Sequence, residues 1–361
     1  MALATIDFPP GTRIDAQGYH RDPDYVASYE RDYDVRGGRI GRSRILAAFE
    51  SLDVERTPAR AKSTFDLFAT IFRGKQGAAL LKVALLGEGI DPSNIAIGRI
   101  RRAAIGQGAI AIPLRVKASG IAFDFTITFI RFDRVLVDIG LVGVPGSKLV
   151  ATDVDRVSRI AIERVRAGLL PAIVAPPIVS GVAQVGQGLT ASRGAWTGDQ
   201  LAFTHQWERC DAGGGGCVPV AEATGTSYTV TPGDLTSTLR VSVTGRNRLG
   251  QLVSSGPPTV AITGVAGAPV NTVMPVISGS AQVGGSLNVT TGVWDGSPIA
   301  FAYQWRRCDG SGGTCSDIAG ATAPVFSVTS TDSRSTLRVL VVATNTVGPG
   351  GALTAPTSAV P

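Results

Sequence analysis

The residues that could carry chemistry are few in this 361-residue chain. It contains two histidines, His20 and His205, and four cysteines. Ser-His-Asp and Cys-His catalysis both need an imidazole placed beside the nucleophile. His205 precedes a Gln-Trp pair in a repeated segment where Tyr303 takes its place, so we expect a strand side chain there and not a catalytic base. We predict that the protein is not an enzyme and holds no cofactor.

Two other segments resemble ligand sites only superficially. Val144–Lys148 has Pro, Gly, Ser and Lys, but a phosphate loop needs G-x-x-x-x-G-K-[ST] spacing, so we predict a plain turn. The acidic run from Asp22 to Asp34 does not match the ligand spacing of a calcium loop. Because arginines are interspersed with these carboxylates, a solvated surface is the better prediction.

The cysteines form two closely spaced pairs. Cys210 and Cys217 flank Asp-Ala-Gly-Gly-Gly-Gly, and Cys308 and Cys315 flank Asp-Gly-Ser-Gly-Gly-Thr. A structural zinc site usually has two to four residues between paired cysteines, and here there are six. We therefore predict two local disulfides, each closed by a flexible loop, and no metal. Disulfides persist in oxidising compartments, which favours an extracellular or cell-surface location.

The C-terminal half contains an internal repeat. Residues 177–250 match residues 275–348 at a constant offset of 98, without a gap. Every tryptophan and every cysteine lies inside these repeats. Paired positions include Trp196 and Trp294, Trp207 and Trp305, Arg209 and Arg307, Leu239 and Leu337, and Asn247 and Asn345.

Each repeat has the pattern of an all-β domain. Short alternating runs such as Leu239–Val243 are broken by Gly, Pro, Asp and Asn every eight to twelve residues. The Gln-Trp-x-Arg-Cys run, the glycine-rich loop and the later Leu-Arg-Val and Asn-x-x-Gly resemble the Ig-like repeats of secreted bacterial surface proteins. The resemblance implies two immunoglobulin-like sandwiches, at 177–265 and 270–361. No cysteine stands on strand B, so the inter-sheet disulfide of antibody domains is not expected.

The tryptophans have a structural and a functional interpretation. Trp207 and Trp305 are predicted to fill the core between two sheets. Trp196 and Trp294, in Gly-Ala-Trp-Thr-Gly and Gly-Val-Trp-Asp-Gly, could be carbohydrate platforms, but turn-packing residues are the favoured interpretation.

Residues 1–170 are predicted to form an α+β domain, followed by a linker at 171–177. The expected order is β-β-α(α)-β-β-β-β-α, giving an antiparallel sheet with the helices on one face. Predicted elements include strands at 29–35 and 45–54, helices beginning after Thr57 and at Gln76–Leu86, and a closing helix from about Val154 to Leu169. The pattern vaguely resembles α+β domains of envelope lipoproteins and PsbP-like proteins.

The net charge of +6 belongs entirely to residues 1–170, which hold 25 Lys+Arg and 19 Asp+Glu, whereas residues 171–361 hold 9 of each. The basic side chains have no interleaved aromatic platform, so nucleic acid is not expected as a partner. Scattered surface charge is the simpler interpretation. If the strands that carry them lie close together, six arginines would form one basic face for an anionic partner: Arg39, Arg42, Arg44, Arg99, Arg101 and Arg102.

Two function classes follow. In the first, residues 1–170 bind an envelope polymer, a lipid headgroup, a small ligand or a protein, and the Ig-like pair is a stalk or adhesion module. In the second, the protein is a structural subunit of a self-assembling surface layer, fibre or phage-like appendage, and forms homo-oligomers. No apolar run is long enough for a membrane helix. Residues 1–11 show no secretion signal, and we expect that one was trimmed or lies upstream of the assigned start.

Overall fold

The computed structural model describes residues 2–4, 7–20, 24–73, 77, 79 and 91–361. The chain is mostly β and forms two compact units, Met1–Leu169 and Leu170–Pro361. Most of the helix predicted at Gln76–Leu86, and part of the acidic run beginning at Asp22, lie outside the described residues. In the first unit the strands are β1 (Arg13–His20), β2 (Ala27–Ile40), β3 (Ser43–Val54), β4 (Ile95–Ile97), β5 (Arg101–Ala103), β6 (Gly108–Ala118), β7 (Ile121–Phe132) and β8 (Val135–Gly143), with helices α1 (Pro58–Arg73) and α2 (Ala151–Leu169).

The strands of the first unit form one antiparallel sheet. Its order is β1-β2-β3-β8-β7-β6-β4, and β5 also pairs with β6. Consecutive strands joined by short turns, such as β6-β7-β8, are neighbours in the sheet, as antiparallel connections allow. The predicted strands do not include β1, although Arg13–Gln17 alternate in polarity, and the single strand predicted around residues 95–102 is two short strands, β4 and β5.

The two helices α1 and α2 that the described residues give in full pack on opposite faces of the sheet, which corrects the expectation of a single helical face. Arg102 lies opposite Ile110 in the register, and Arg101 lies opposite Ala111, so their side chains point to different faces. Ile110 packs with α1, whereas Arg101 reaches Asp155 of α2. The α1 face consists of Ala61, Phe65, Ala69 and Phe72 from the helix and Ile110, Ile112, Leu114 and Ile127 from the sheet.

The reason for two covered faces is visible in the central strand. β8, Val-Leu-Val-Asp-Ile-Gly-Leu-Val-Gly, has almost no polar alternation, and seven of its nine residues are buried. A strand that is buried on both faces has a nearly continuous apolar sequence, and another element must cover each face of the sheet at that strand. The N-terminus of α1 follows the predicted cap, since the Thr57 hydroxyl accepts a hydrogen bond from Arg60 N–H at 3.2 Å.

The second unit contains two β-sandwiches with the same strand pairing. Each has a three-stranded and a four-stranded sheet around a tryptophan that is 0% exposed, Trp207 or Trp305, together with one short extra pair. The first contains β9 (Ala172–Ala175), β10 (Val179–Gly181), β11 (Gly188–Ala191), β12 (Ala195–Thr197), β13 (Ala202–Cys210), β14 (Val218–Pro219), β15 (Ser227–Thr229), β16 (Thr238–Arg246) and β17 (Gln251–Ser255). The second contains β18 (Val270–Val273), β19 (Ile277–Gly279), β20 (Ser286–Val289), β21 (Val293–Asp295), β22 (Ala300–Cys308), β23 (Cys315–Asp317), β24 (Val325–Ser327), β25 (Thr336–Thr344) and β26 (Pro349–Leu353).

The segment 171–177, predicted as a linker, contains strand β9. This strand pairs with β12, just as β18 pairs with β21 in the second sandwich. Ala172–Ala175 and Val270–Val273 stand at the repeat offset of 98. The structural repeat therefore begins before the first position at which the sequence repeat is plain.

Candidate functional site: the arginine hairpin tip

Three of the six arginines singled out by the sequence lie together where β2 turns into β3. Arg39 and Arg44 are direct cross-strand partners in the register, and Arg42 stands in the two-residue turn between the strands. Directly opposite residues have Cβ atoms about 4.5–5.5 Å apart. All three side chains are exposed. We call Arg39, Arg42 and Arg44 the hairpin tip.

The backbone of the hairpin tip is held by one buried carboxylate of α2. Asp153 Oδ2 accepts hydrogen bonds from Arg42 N–H at 2.8 Å, from Ser43 N–H at 2.9 Å and from the Ser43 hydroxyl at 2.8 Å. Gly41 has a φ of +58°, and a Cβ there would lie 2.0 Å from Asp153 Oδ1. Glycine is required at this turn for both reasons. The contact fixes the position of the turn without using any arginine side chain.

Within the described part of the chain, no carboxylate forms an ion pair with Arg39, Arg42 or Arg44. Like charges directly opposite each other destabilise a strand pair, so the arrangement does not serve the hairpin itself. Three clustered cations on a fixed turn create a local positive potential that attracts anions, and salt screens that attraction.

The other three predicted arginines are elsewhere. Arg101 and Arg102 lie on β5, and β8, β7 and β6 separate β5 from β3, which corresponds to about 19 Å at normal strand spacing. Arg101 is neutralised by Asp155, with a 3.0 Å bond from Nη1 to Oδ2. Arg99 is exposed in the segment before β5. The six arginines therefore do not share one surface.

The first unit also holds a buried carboxylate that the sequence analysis did not single out. Glu50 on β3 is 1% exposed, and its Oε2 accepts a hydrogen bond from Leu3 N–H at 2.7 Å. Burial raises the pKa of Glu50 to about 7, and the Leu3 bond and Arg31 oppose that rise. Tyr33 donates to Leu3 C=O at 2.7 Å. These contacts fasten the segment at Leu3 to the sheet. The signal in sequence was a Glu in phase with the apolar positions Ala48 and Leu52 of β3.

In the second unit both cysteine pairs form disulfides, Cys210–Cys217 and Cys308–Cys315. Cys308 and Cys315 are direct cross-strand partners, so their disulfide closes a hairpin. The Asp that follows the first cysteine of each pair organises its loop. Asp309 accepts from Ser311 Oγ at 2.6 Å, and this bond, with the N–H groups of Thr314 and Gly313, holds the pKa of that carboxyl well below its usual range.

The repeated Arg and Asp positions form a buried ion pair in each sandwich. Arg209 contacts Asp234 at 2.8 Å, and Arg307 contacts Asp332 at 2.5 Å. Both aspartates are 0% exposed, and each also accepts hydrogen bonds from the threonine three residues before it. The Arg of Gln-Trp-x-Arg-Cys is therefore a framework residue. The sequence analysis recorded its repetition but did not identify its partner.

The half-buried Trp196 and Trp294 pack on turns, as the favoured interpretation predicts. Trp196 Nε1 donates to Arg193 C=O at 2.7 Å, and Trp294 Nε1 donates to Thr291 C=O at 2.6 Å. Each ring meets a phenylalanine edge-on, Phe203 or Phe301, with centroids 5.7 and 6.3 Å apart.

The described residues contain no group of three or more His, Cys, Asp or Glu side chains placed to hold a metal ion. Val144–Lys148 is a turn, with Ser147 N–H donating to Val144 C=O at 2.9 Å. Among the helices of the described chain, none combines the length and the apolar character that crossing a bilayer requires.

Comparisons with known proteins give a limited result. No protein-family model matches the chain, and no curated protein sequence matches it. Among solved structures, consecutive titin domains align over 74% of this chain and 99% of theirs, at 12% identity and a TM-score of 0.20. The FN1–FN3 domains of chicken CNTN1 align over 73% of this chain and 97% of theirs, at 14% identity and a TM-score of 0.18. Likeness at these TM-scores carries no argument about function, and the description of the sandwiches depends on their own strand pairing.

Proposed function

We propose that this chain is a non-enzymatic, extracytoplasmic bacterial surface protein. An N-terminal α+β domain, residues 1–170, binds an anionic partner, and two tandem Ig-like sandwiches at 177–265 and 270–361 act as a stalk or adhesion module. The observation that carries the proposal is the hairpin tip: three exposed arginines on a turn fixed by Asp153, with no carboxylate partner in the described structure.

The anionic group is common to two sources, an envelope polymer and an acidic lipid headgroup. Both present clustered negative charges to solvent, and either would complement Arg39, Arg42 and Arg44. Arginine suits phosphate and carboxylate because its planar guanidinium can donate two parallel hydrogen bonds. Arg99 and Arg102 are proposed only as peripheral contributors, since three strands separate β5 from β3.

The stalk role is supported by contacts between the two sandwiches. Arg209 of the first meets Asp317 of the second at 2.8 Å, and Arg306 of the second donates to Gly233 C=O of the first at 2.7 Å. Arg306 is 3% exposed, so its contacts are largely shielded from water. Charge-assisted bonds of this kind restrict the angle between neighbouring domains. The disulfides support an oxidising compartment.

The test is co-sedimentation of the full chain with vesicles and with an anionic polysaccharide. Phosphatidylglycerol vesicles are compared with phosphatidylcholine vesicles, and alginate beads with agarose beads, at about 0.1 M and about 1 M salt. We expect retention on at least one anionic material, lost at high salt and lost in R39S/R42S/R44S. Vesicle retention identifies the lipid source, and bead retention identifies the polymer source. Retention that the triple variant preserves would contradict the proposal.

A structural subunit is the second candidate, and one observation favours it. Ile178 and Val276 occupy the same position in the two repeats and are 55% and 58% exposed. An apolar side chain exposed at the same place in both sandwiches suits contacts between copies. Sedimentation velocity over a hundredfold concentration range tests it. Growth of a larger species with concentration supports assembly, and a constant monomer supports the binding proposal alone.

A further inference from the structure

The two sandwiches differ at one row of cross-strand partners. In the first sandwich Glu208 lies opposite Arg240, and their side chains pair at 2.6 Å. In the second, the offset of 98 places Arg306 opposite Arg338, so the acidic member of the pair is replaced by a second arginine. The pair at this row is neutral in the first sandwich and consists of two adjacent cations in the second.

Asp317 neutralises only one of these two cations. It stands opposite Arg306 on the neighbouring strand and contacts it at 2.8 Å, while the same guanidinium donates to Gly233 C=O. Arg338 donates to two carbonyls, Thr354 C=O at 2.9 Å and Gly312 C=O at 3.2 Å. No carboxylate of the described chain pairs with it. Burial alone accounts for the lowered pKa of Arg338, and a half-buried cation without a counter-charge is costly to the fold.

Arg338 lines a groove between the two sandwiches. The groove has a volume of about 800 Å³ and also contains Arg209, Arg306 and Asp211 in its wall. Arg209 and Arg306 are already paired with aspartates. Asp211 accepts a hydrogen bond from Gly215 N–H within its own loop. Of these three arginines, Arg338 is therefore the one whose positive charge is not balanced by a carboxylate in the described structure.

One side of Arg338 faces apolar residues. A second cavity of about 480 Å³ shares Met274, Arg338 and Leu353 with the groove, and Val276 and Pro356 complete its apolar side. A ligand seated across both cavities would place an anionic head at Arg338 and a hydrocarbon body against Met274 and Leu353. Ligand sites of this size combine an apolar lining with one or two polar groups that fix orientation.

We propose that this groove binds a carboxylate carried on an apolar carbon frame, with Arg338 as the residue that receives the carboxylate. The first sandwich lacks such a site because Glu208 already supplies the carboxylate to Arg240. The carboxylate of the ligand would thus take the place that the Glu208 carboxylate has beside Arg240 in the first sandwich. Either a small free acid or the C-terminal carboxylate of a peptide has this chemistry. The proposal does not depend on the hairpin tip.

The test is an NMR titration of the full chain with hexanoate and with hexanamide, which share a carbon frame and differ in charge. A peptide arm uses Ala-Ala-Leu with a free and with an amidated C-terminus. We expect each acid to bind at least about tenfold more tightly than its amide, because a charge-assisted hydrogen bond is lost in the amide. Tighter binding of the tripeptide acid than of hexanoate would identify a chain terminus as the source, and the reverse a free acid.

Two variants and one matched control make the test specific. R338Q should weaken acid binding at least about tenfold. R306E places a carboxylate opposite Arg338, as Glu208 lies opposite Arg240, and should abolish acid binding. R240Q changes the equivalent arginine of the first sandwich and should leave binding unchanged. Equal affinity for acid and amide, no binding of any acid, or acid binding that survives in both R338Q and R306E would overturn the proposal.

Discussion

Arginines have different roles in the two units. In the sandwiches, Arg209 and Arg307 are paired with aspartates that are 0% exposed, and these pairs recur at the repeat offset. At the hairpin tip of the N-terminal unit, the arginines are exposed, adjacent to one another and not paired with a carboxylate in the described structure. The same residue type stabilises a fold in one unit and is available to a partner in the other.

This difference in pairing also explains why the number of charged residues does not by itself locate a binding surface. Residues 171–361 hold 9 basic and 9 acidic side chains, and several of these form pairs inside the sandwiches. Residues 1–170 carry the whole excess of +6, yet one of the predicted binding arginines, Arg101, is paired with Asp155. Position in the sheet, and not the number of charges, decides which arginine can meet a partner.

Removing the acidic partner in a sandwich should have the largest effect on stability. Asp234→Ala removes the buried counter-charge of Arg209 and leaves only the partly exposed Asp317 beside this guanidinium. Loss of a buried partner costs about 3–5 kcal/mol in comparable cases, and the remaining Asp317 contact places the expected loss at the lower end, about 3 kcal/mol. All four tryptophans lie in the repeats, so tryptophan fluorescence during urea unfolding reports on this unit within the full chain. Asp295→Ala, an exposed control in the second sandwich, should change stability by less than about 0.5 kcal/mol. Similar midpoints for the two variants would mean that the pair is not structural.

Opening a disulfide should have the next largest effect. The C210S/C217S variant frees an eight-residue loop, and the chain-entropy model gives a loss of about 2–3 kcal/mol. C308S/C315S should lose a similar amount, because its loop has the same length. Urea unfolding followed by fluorescence checks both. Thiol titration of the native protein should find no free cysteine, and free thiols would contradict both the pairing and the argument for an oxidising compartment.

The N-terminal unit should lose stability as pH rises from about 5 to about 8. The pKa of Glu50 is about 7 in the folded chain and close to 4.5 when unfolded. Between these values the folded state binds more protons, so its stability falls as pH increases and the loss is complete above the folded pKa. The pKa of Asp138, raised to about 7 by burial and by Asp53, acts in the same direction.

The loss of folding stability due to Glu50 is about 3 kcal/mol, because each unit of difference between the folded and unfolded pKa contributes 1.36 kcal/mol. Both described helices lie in this unit, so ellipticity at the helical band follows its unfolding in the full chain. Glu50→Gln removes the ionisation and should flatten much of the pH dependence, leaving the part due to Asp138. A slope of the wild type in the opposite direction, or one unchanged in the variant, would refute this assignment.

The sequence predicted the sandwiches better than the N-terminal unit for a physical reason. Repetition at an offset of 98 marks the positions under structural constraint, and Trp207, Trp305 and the cysteines lie where that constraint predicts. The N-terminal unit occurs once. Its β8 is apolar apart from Asp138, so periodicity could not distinguish one covered face from two. The Arg39–Arg44 pair follows from the two-residue turn between β2 and β3, which sets the register of this hairpin. The place of β5 depends on the order of strands that are far apart in sequence, and no local pattern gives that order.

The smallest stability effect is expected at the hairpin tip. R39S/R42S/R44S removes three exposed side chains and leaves the Asp153 contacts to the turn backbone intact. We expect a change of less than about 0.5 kcal/mol, and relief of repulsion between Arg39 and Arg44 could make it stabilising. Ellipticity-monitored unfolding measures it. A loss of several kcal/mol would show that these arginines belong to the framework, as Arg209 does.

The central claim is tested most directly by comparing two variants that lose the same charge from different units. R39S/R42S/R44S removes the hairpin tip, and R193S/R246S/R334S removes three exposed arginines of the sandwiches. Affinity of the full chain for the anionic material that retains the wild type is measured at about 0.1 M salt. The account predicts that the first variant loses binding at least about tenfold, while the second binds like the wild type. An equal loss in both variants would show that net charge, and not the hairpin tip, attracts the partner.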